Sequence, residues 1–309
     1  MRQSVLGLLL WLVAPFLPAE HRPSFGSLEH GFLFMPLVLA PPLVQLADTL
    51  LGGRCERFSA LARRALAGAG ALVVVSFLVP RGMGAAVFAM PWLILAVALA
   101  GRGVRRTLAH RDRGTATVIA GHVFLVIGAV WLLLSRLGAA PRHLSETTVL
   151  LAALHFHFSG FALQILVAGV GRKLSATSRA LRLVVACVSP SAAVAIALIA
   201  AGNLLALPLL KFCGVIAMVL CVVALAGLCV VAARASAERA ARWLFASSAT
   251  VLASGMLLAA AYGLAELTVP TPMSLALMTT THGLANQLGV ALCVLALTIR
   301  PEGCHSGTP

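Results

Sequence analysis

Ten apolar runs, most of them near twenty residues long, follow one another in this chain, and no segment between them exceeds about fifteen residues. A helix needs roughly 20 apolar residues to cross the hydrocarbon core of a bilayer. Inside that core every backbone N–H and C=O must find a partner within the protein, which leaves helices as the solution for runs of this length. The expected spans are residues 4–19, 32–51, 65–80, 83–100, 116–137, 146–170, 181–201, 209–233, 243–265 and 272–299. The fold class that follows is all-α, a polytopic transmembrane helix bundle forming a single integral membrane domain over residues 1–309. The first run could also be a signal-peptide core, but Leu17 stands where a small residue would precede a cleavage site, so a retained short span is favoured. The third run is short and Gly-rich, and a tilted or re-entrant piece is the alternative there.

Charge supports this reading independently. Charged residues make up only 10% of the chain, against about 25% in soluble domains. With the N-terminus inside, 18 of the 23 Lys and Arg residues fall in cytoplasmic segments and 5 outside. One missed or invented span would destroy that asymmetry, so N- and C-termini are both expected in the cytoplasm. The net charge of +14 is then a topology signal and a contact with anionic headgroups. Its scatter in short runs between apolar segments is unlike the single basic face of a nucleic-acid binder. The bilayer and a small solute or ion are the expected partners, nucleic acid is not, and the bacterial inner membrane is the expected location. Seven scattered cysteines show no C-x-x-C spacing and are read as small apolar filler.

Polar side chains inside such runs are costly, which makes them functional candidates. The sixth run carries LHFHFSGF at residues 154–161, with His155 and His157 in its middle. At 100° per residue these two face nearly opposite sides, so a regular helix cannot offer both to one ion. Either they serve different neighbours or the helix is distorted, with Gly160 the natural place. Glu146 opens this run and Gln164 shares the His157 stripe. The tenth run carries THGLANQLG at residues 281–289, with His282 and Asn286 one turn apart and at the depth of the other two histidines. His122 lies in the fifth run, nearer the other surface. Glu29, His30 and Glu266 stand at the outer ends of their runs and form a candidate entrance. Asp48, at the inner end of the second run, is expected to pair with a cytoplasmic arginine.

These two motifs, in an all-helical membrane protein of this size, resemble the YndJ-like family of bacterial membrane proteins. The resemblance implies that His155, His157, Gly160, Phe161, His282, Gly283 and Asn286 matter together; it supplies no chemistry.

Three readings compete. In the first, the protein is a permease for a small solute or ion, with His155, His157, His282, Asn286, Gln164 and Glu146 as substrate or proton groups; imidazole suits this because it changes charge near neutrality. In the second, His155, His157, His282 and His122 bind a metal ion or haem iron. In the third, the histidines only fix helix packing in an accessory subunit. No H-E-x-x-H, Walker, nucleophile-elbow or Rossmann pattern is present, so the reading leans away from an enzyme.

Overall fold

The computed structural model describes residues 2–13, 26–52, 56–110, 113–141, 144–174, 178–268 and 274–299. Every regular element among them is helical. We number the helices α1 (Arg2–Val13), α2 (Ser27–Leu50), α3 (Glu56–Leu78), α4 (Met83–His110), α5 (Arg113–Leu137), α6 (Glu146–Leu174), α7 (Arg179–Leu204), α8 (Pro208–Ala235), α9 (Arg239–Thr268) and α10 (Leu275–Thr298). Each expected span overlaps one of them. Eight are long and apolar enough to cross a bilayer, whereas the apolar parts of α1 and α3, Gln3–Val13 and Arg64–Leu78, are shorter. The chain is thus a multi-pass membrane protein. Residues 14–19 of the first expected span, with its candidate cleavage site, lie outside the described residues.

Local chemistry sets the helix ends. Ser145, Ser178 and Ser274 each stand in extended backbone and accept a hydrogen bond from the amide three residues on, capping α6, α7 and α10. Helix α5 stops at Gly138, whose φ of 76° closes the last turn while the Ala139 amide bonds back to the Leu134 carbonyl at 2.9 Å. Successive helices run antiparallel, as cross-helix contacts show: Gly128 meets His157 and Gly121 meets Gln164, while Gly255 meets Asn286 and Gly289 meets Leu252.

Helix α6 is the centre of the bundle, with 72% of its apolar window buried against 28% for α7. Helix α2 comes next at 56%. These two are also the helices that depart from α geometry. In α2 a π-helical turn spans Met35–Leu39, just ahead of Pro41 and Pro42, which have no N–H for the carbonyls of Leu37 and Val38. Glycine lets α1 come close at that point: a Cβ at Gly7 would overlap the Leu37 carbonyl. In α6 the π turn covers Phe156–Ala162, the FHFSGFA stretch. Here too a glycine admits a neighbour, since a Cβ on Gly160 would lie 2.6 Å from the Phe124 Cβ. The distortion expected near Gly160 is therefore present, and so is the division of the two histidines between different neighbours.

The bundle has two polar ends. At one, Arg102 and Arg106 each donate to Asp48 at 2.9 Å, the pairing expected for that aspartate. At the other, Arg81 in the tight turn between α3 and α4 donates to Glu146 and lies 3.5 Å from Glu29. Beside it Arg136 is wholly buried. Its guanidinium lies over the Phe77 ring at 4.6 Å and donates to the carbonyls of Ser76 and Val79, capping the C-terminus of α3.

Candidate functional site

A cavity of about 530 Å³ lies among α2, α6, α7, α8, α9 and α10. That volume suits a small organic molecule, and the wall, mainly apolar and led by leucine and valine with polar side chains interspersed, is typical of such sites. The cavity extends from the bundle end that holds Ser27, Lys211 and Glu266 down to His155, His282 and Asn286. It thereby joins the two sequence motifs, which are more than a hundred residues apart in the chain.

His155 reaches this cavity from the last α turn before the π segment and is half-buried. Its Nδ1 lies 2.8 Å from the Leu151 carbonyl. A carbonyl only accepts, so the proton sits on Nδ1 and the lone pair of neutral imidazole on Nε2. The Nε2 edge is the one left to face the cavity. His282 is held the same way from the opposite wall, its Nδ1 donating to the Gly255 carbonyl of α9 at 2.8 Å. The Asn286 amide nitrogen comes within 2.9 Å of that Nδ1, but a nitrogen already donating cannot also accept. The amide instead donates to the His282 carbonyl at 2.9 Å, and stands 3.3 Å from Nε2. Two imidazoles from distant segments thus line one cavity, each with its Nδ1–H held by a backbone carbonyl and its Nε2 left as the acceptor, that of His282 lying 3.3 Å from the Asn286 amide nitrogen.

His157 belongs to a different environment. It is fully buried, lies outside the cavity wall, and spends both ring nitrogens. Trp92 Nε1–H, which can only donate, bonds Nε2 at 2.9 Å, and Nδ1–H donates to the Ala153 carbonyl at 2.7 Å. Phe32 meets the ring edge-on at 5.0 Å. Gly128 closes the remaining side, where a Cβ would stand 2.5 Å from Nδ1. Gln164 is likewise a helix clasp. Its amide donates to the Ser189 carbonyl at 3.0 Å and its carbonyl accepts from the Ser189 hydroxyl at 2.6 Å, tying α6 to α7. His122 is buried in α5 with Nδ1 on the Val118 carbonyl at 2.9 Å and its ring against Phe161. It does not reach the cavity either.

The three entrance candidates divide as well. His30 lines the cavity and is paired with Trp11: the rings stack at 4.2 Å, and each residue bonds the other's backbone carbonyl. Glu266 lines the cavity end with Lys211, 2.7 Å away. Glu29 and Glu146 share Arg81 instead. Of the site residues expected from sequence, the structure brings together His155, His282, Asn286, His30 and Glu266 at one cavity. It places His157, Gln164, His122, Glu29 and Glu146 elsewhere. Among the described residues no three His, Cys, Asp or Glu side chains are grouped closely enough to hold a metal ion.

Sequence reasoning missed the partners that decide these roles. Trp92 could have been noticed as a mid-run indole whose N–H needs an acceptor. Lys211 was visible as one of few cations near the outer ends. Nothing local marks Gly255 as the carbonyl that fixes His282.

A family model described as YndJ-like protein matches residues 32–290. No curated protein and no solved structure matches the chain.

Proposed function

The chain belongs to the YndJ-like family, and from that premise we propose that it is a permease for a small solute or ion whose site is the cavity walled by His155, His282 and Asn286. The observation that carries this is the convergence of both motifs on one cavity, where His155 and His282 are each held by a backbone carbonyl at Nδ1. Neutral imidazole, with one donor and one acceptor nitrogen, suits hydrogen bonding to a solute. Ten spans with both termini cytoplasmic, in a bacterial inner membrane, complete the proposal. Its support is the basic-residue asymmetry, together with eight helices long and apolar enough to cross a bilayer. The cavity then opens toward the outer side.

The reading as a packing device applies to part of the constellation only, since His157 and Gln164 bond across to neighbouring helices, while His122 bonds Val118 of its own helix and rests its ring against Phe161. A metal or haem centre would have two of its four histidines, His155 and His282, at a common cavity.

The test is flux of a solute panel into liposomes holding the purified protein, with His155→Ala and His282→Ala beside Trp92→Phe. Both cavity variants should lose flux while Trp92→Phe keeps it. Folded cavity variants that transport like wild type would end this reading.

A further inference from the structure

We infer that the cavity takes an uncharged molecule with an apolar body and a hydroxyl head, the hydroxyl donating to His155 Nε2 and bonding the His282–Asn286 pair. This deepens the permease reading and rests on it for the purpose of binding.

Charge comes first. The only acidic or basic side chains on the cavity wall among the described residues are Lys211 and Glu266, which neutralise one another at 2.7 Å near the end of the bundle. No carboxylate stands beside His155 and His282 to balance a cation. Each imidazole is in a tautomer that offers an acceptor, not a donor, so neither is set up for an anion. An ion brought to this depth would give up its hydration for walls led by Leu163, Leu166, Val222 and Val290, a loss that uncharged polar groups such as Ser159 and Gln287 repay only in part.

Hydrogen-bond polarity comes second. A lone pair facing an apolar cavity is satisfied by a ligand O–H, and a ligand with acceptors only would leave it unpaired. The Asn286 amide donates one N–H to the His282 carbonyl and stands 3.3 Å from His282 Nε2 with the other, a long contact that a ligand hydroxyl would replace by accepting that N–H itself. Size comes third: about 530 Å³ is far larger than a water molecule or a small inorganic ion requires, and fits a chain or ring system of drug-like bulk.

The experiment uses the full chain in lipid nanodiscs and four photoactivatable diazirine probes on one sixteen-carbon chain: the alcohol, its methyl ether, the carboxylate and the trimethylammonium. Labelled peptides are mapped by mass spectrometry. The alcohol is expected to label segments bearing Met218, Met256 and Met278 about threefold to tenfold more than the ether, the factor of one net hydrogen bond. Both charged probes should fall below the alcohol. His155→Leu should bring the alcohol down to the ether level, and His155→Gln, which keeps an acceptor, should restore part of the preference. Trp92→Phe should leave it intact. Equal labelling by alcohol and ether, preference for a charged probe, or no cavity labelling by any of the four would overturn the inference. Cavity labelling with the expected preference but no flux in liposomes would sink the permease reading and leave the ligand class standing. Flux of a charged solute that depends on His155, without alcohol preference, would do the reverse.

Discussion

Replacing Trp92 by phenylalanine separates packing from function at the motif. The indole N–H is the donor to His157 Nε2 at 2.9 Å, and the imidazole is 0% exposed. Phenylalanine keeps an aromatic ring but leaves that nitrogen buried with nothing to accept from. An unpaired buried polar group costs about 1–3 kcal/mol in soluble proteins. Bonds between membrane helices average about 0.6 kcal/mol and reach about 1.7, because the unfolded chain also finds partners in the bilayer. The second scale governs here. Loss of the larger ring adds a packing cost, so the single variant should lose about 2–3 kcal/mol. A double-mutant cycle with His157→Leu removes the packing part and should give a coupling of about 0.6–1.7 kcal/mol. The assay is equilibrium unfolding in mixed detergent and lipid micelles, followed by helical circular dichroism, with cavity labelling on the same samples. A coupling below about 0.3 kcal/mol would mean that the bond is not a feature of the folded protein. Loss of ligand labelling in stably folded Trp92→Phe would refute the assignment of His157 to structure.

Other expected outcomes follow from close contacts and ion pairs. Gly128→Ala would place a Cβ 2.5 Å from His157 Nδ1, and an unfolding titration should show a loss of about 1–3 kcal/mol. Gly160→Ala, whose Cβ would come within 2.6 Å of Phe124, should lose a similar amount, and adding Phe124→Ala should recover part of it rather than add to it. Asp48→Asn leaves Arg102 and Arg106 without their shared carboxylate, whose side chain is 13% exposed, and should cost about 1–2 kcal/mol with weak salt dependence. Glu266→Gln, at the more exposed pair with Lys211, should cost less than about 1 kcal/mol, and 0.5 M salt should erase the difference.

The helices were legible because an apolar run of about twenty residues can cross a bilayer only with its backbone groups paired internally. Eight runs emerged as helices of that length, the apolar parts of α1 and α3 being shorter, and Asp48 met its arginines because a lone acid beside basic loops has few other partners. The site was legible at the level of motifs. The opposed faces of His155 and His157 follow from the period of the helix, and the structure keeps them apart. Which of the two would face a cavity depended on Trp92, which is 65 residues away and carries no local mark. Gln164 was misplaced for a similar reason. Its stripe on the helix was read correctly, but the partner on that stripe was Ser189 on the next helix, whose backbone carbonyl and hydroxyl hold the amide away from the cavity wall. Glu29 and Glu146 were grouped by surface position, and Arg81 gathers them away from the cavity.

The two π turns make the most enclosed helices sensitive to chain length. A π turn holds one residue more than the α turn it replaces, and is in effect an insertion that the helix has absorbed. Removing one residue from Phe156–Ala162 would let α6 return to regular winding, and everything on one side of the cut would rotate by about 100° relative to the other. His155 could then keep the cavity only if Gln164 lost Ser189, or the clasp could hold only if the imidazole swung away. Point substitutions in this stretch disturb one contact at a time. A one-codon deletion would oblige the chain to choose between its binding wall and its scaffold, so the length of FHFSGFA is itself part of what the gene specifies.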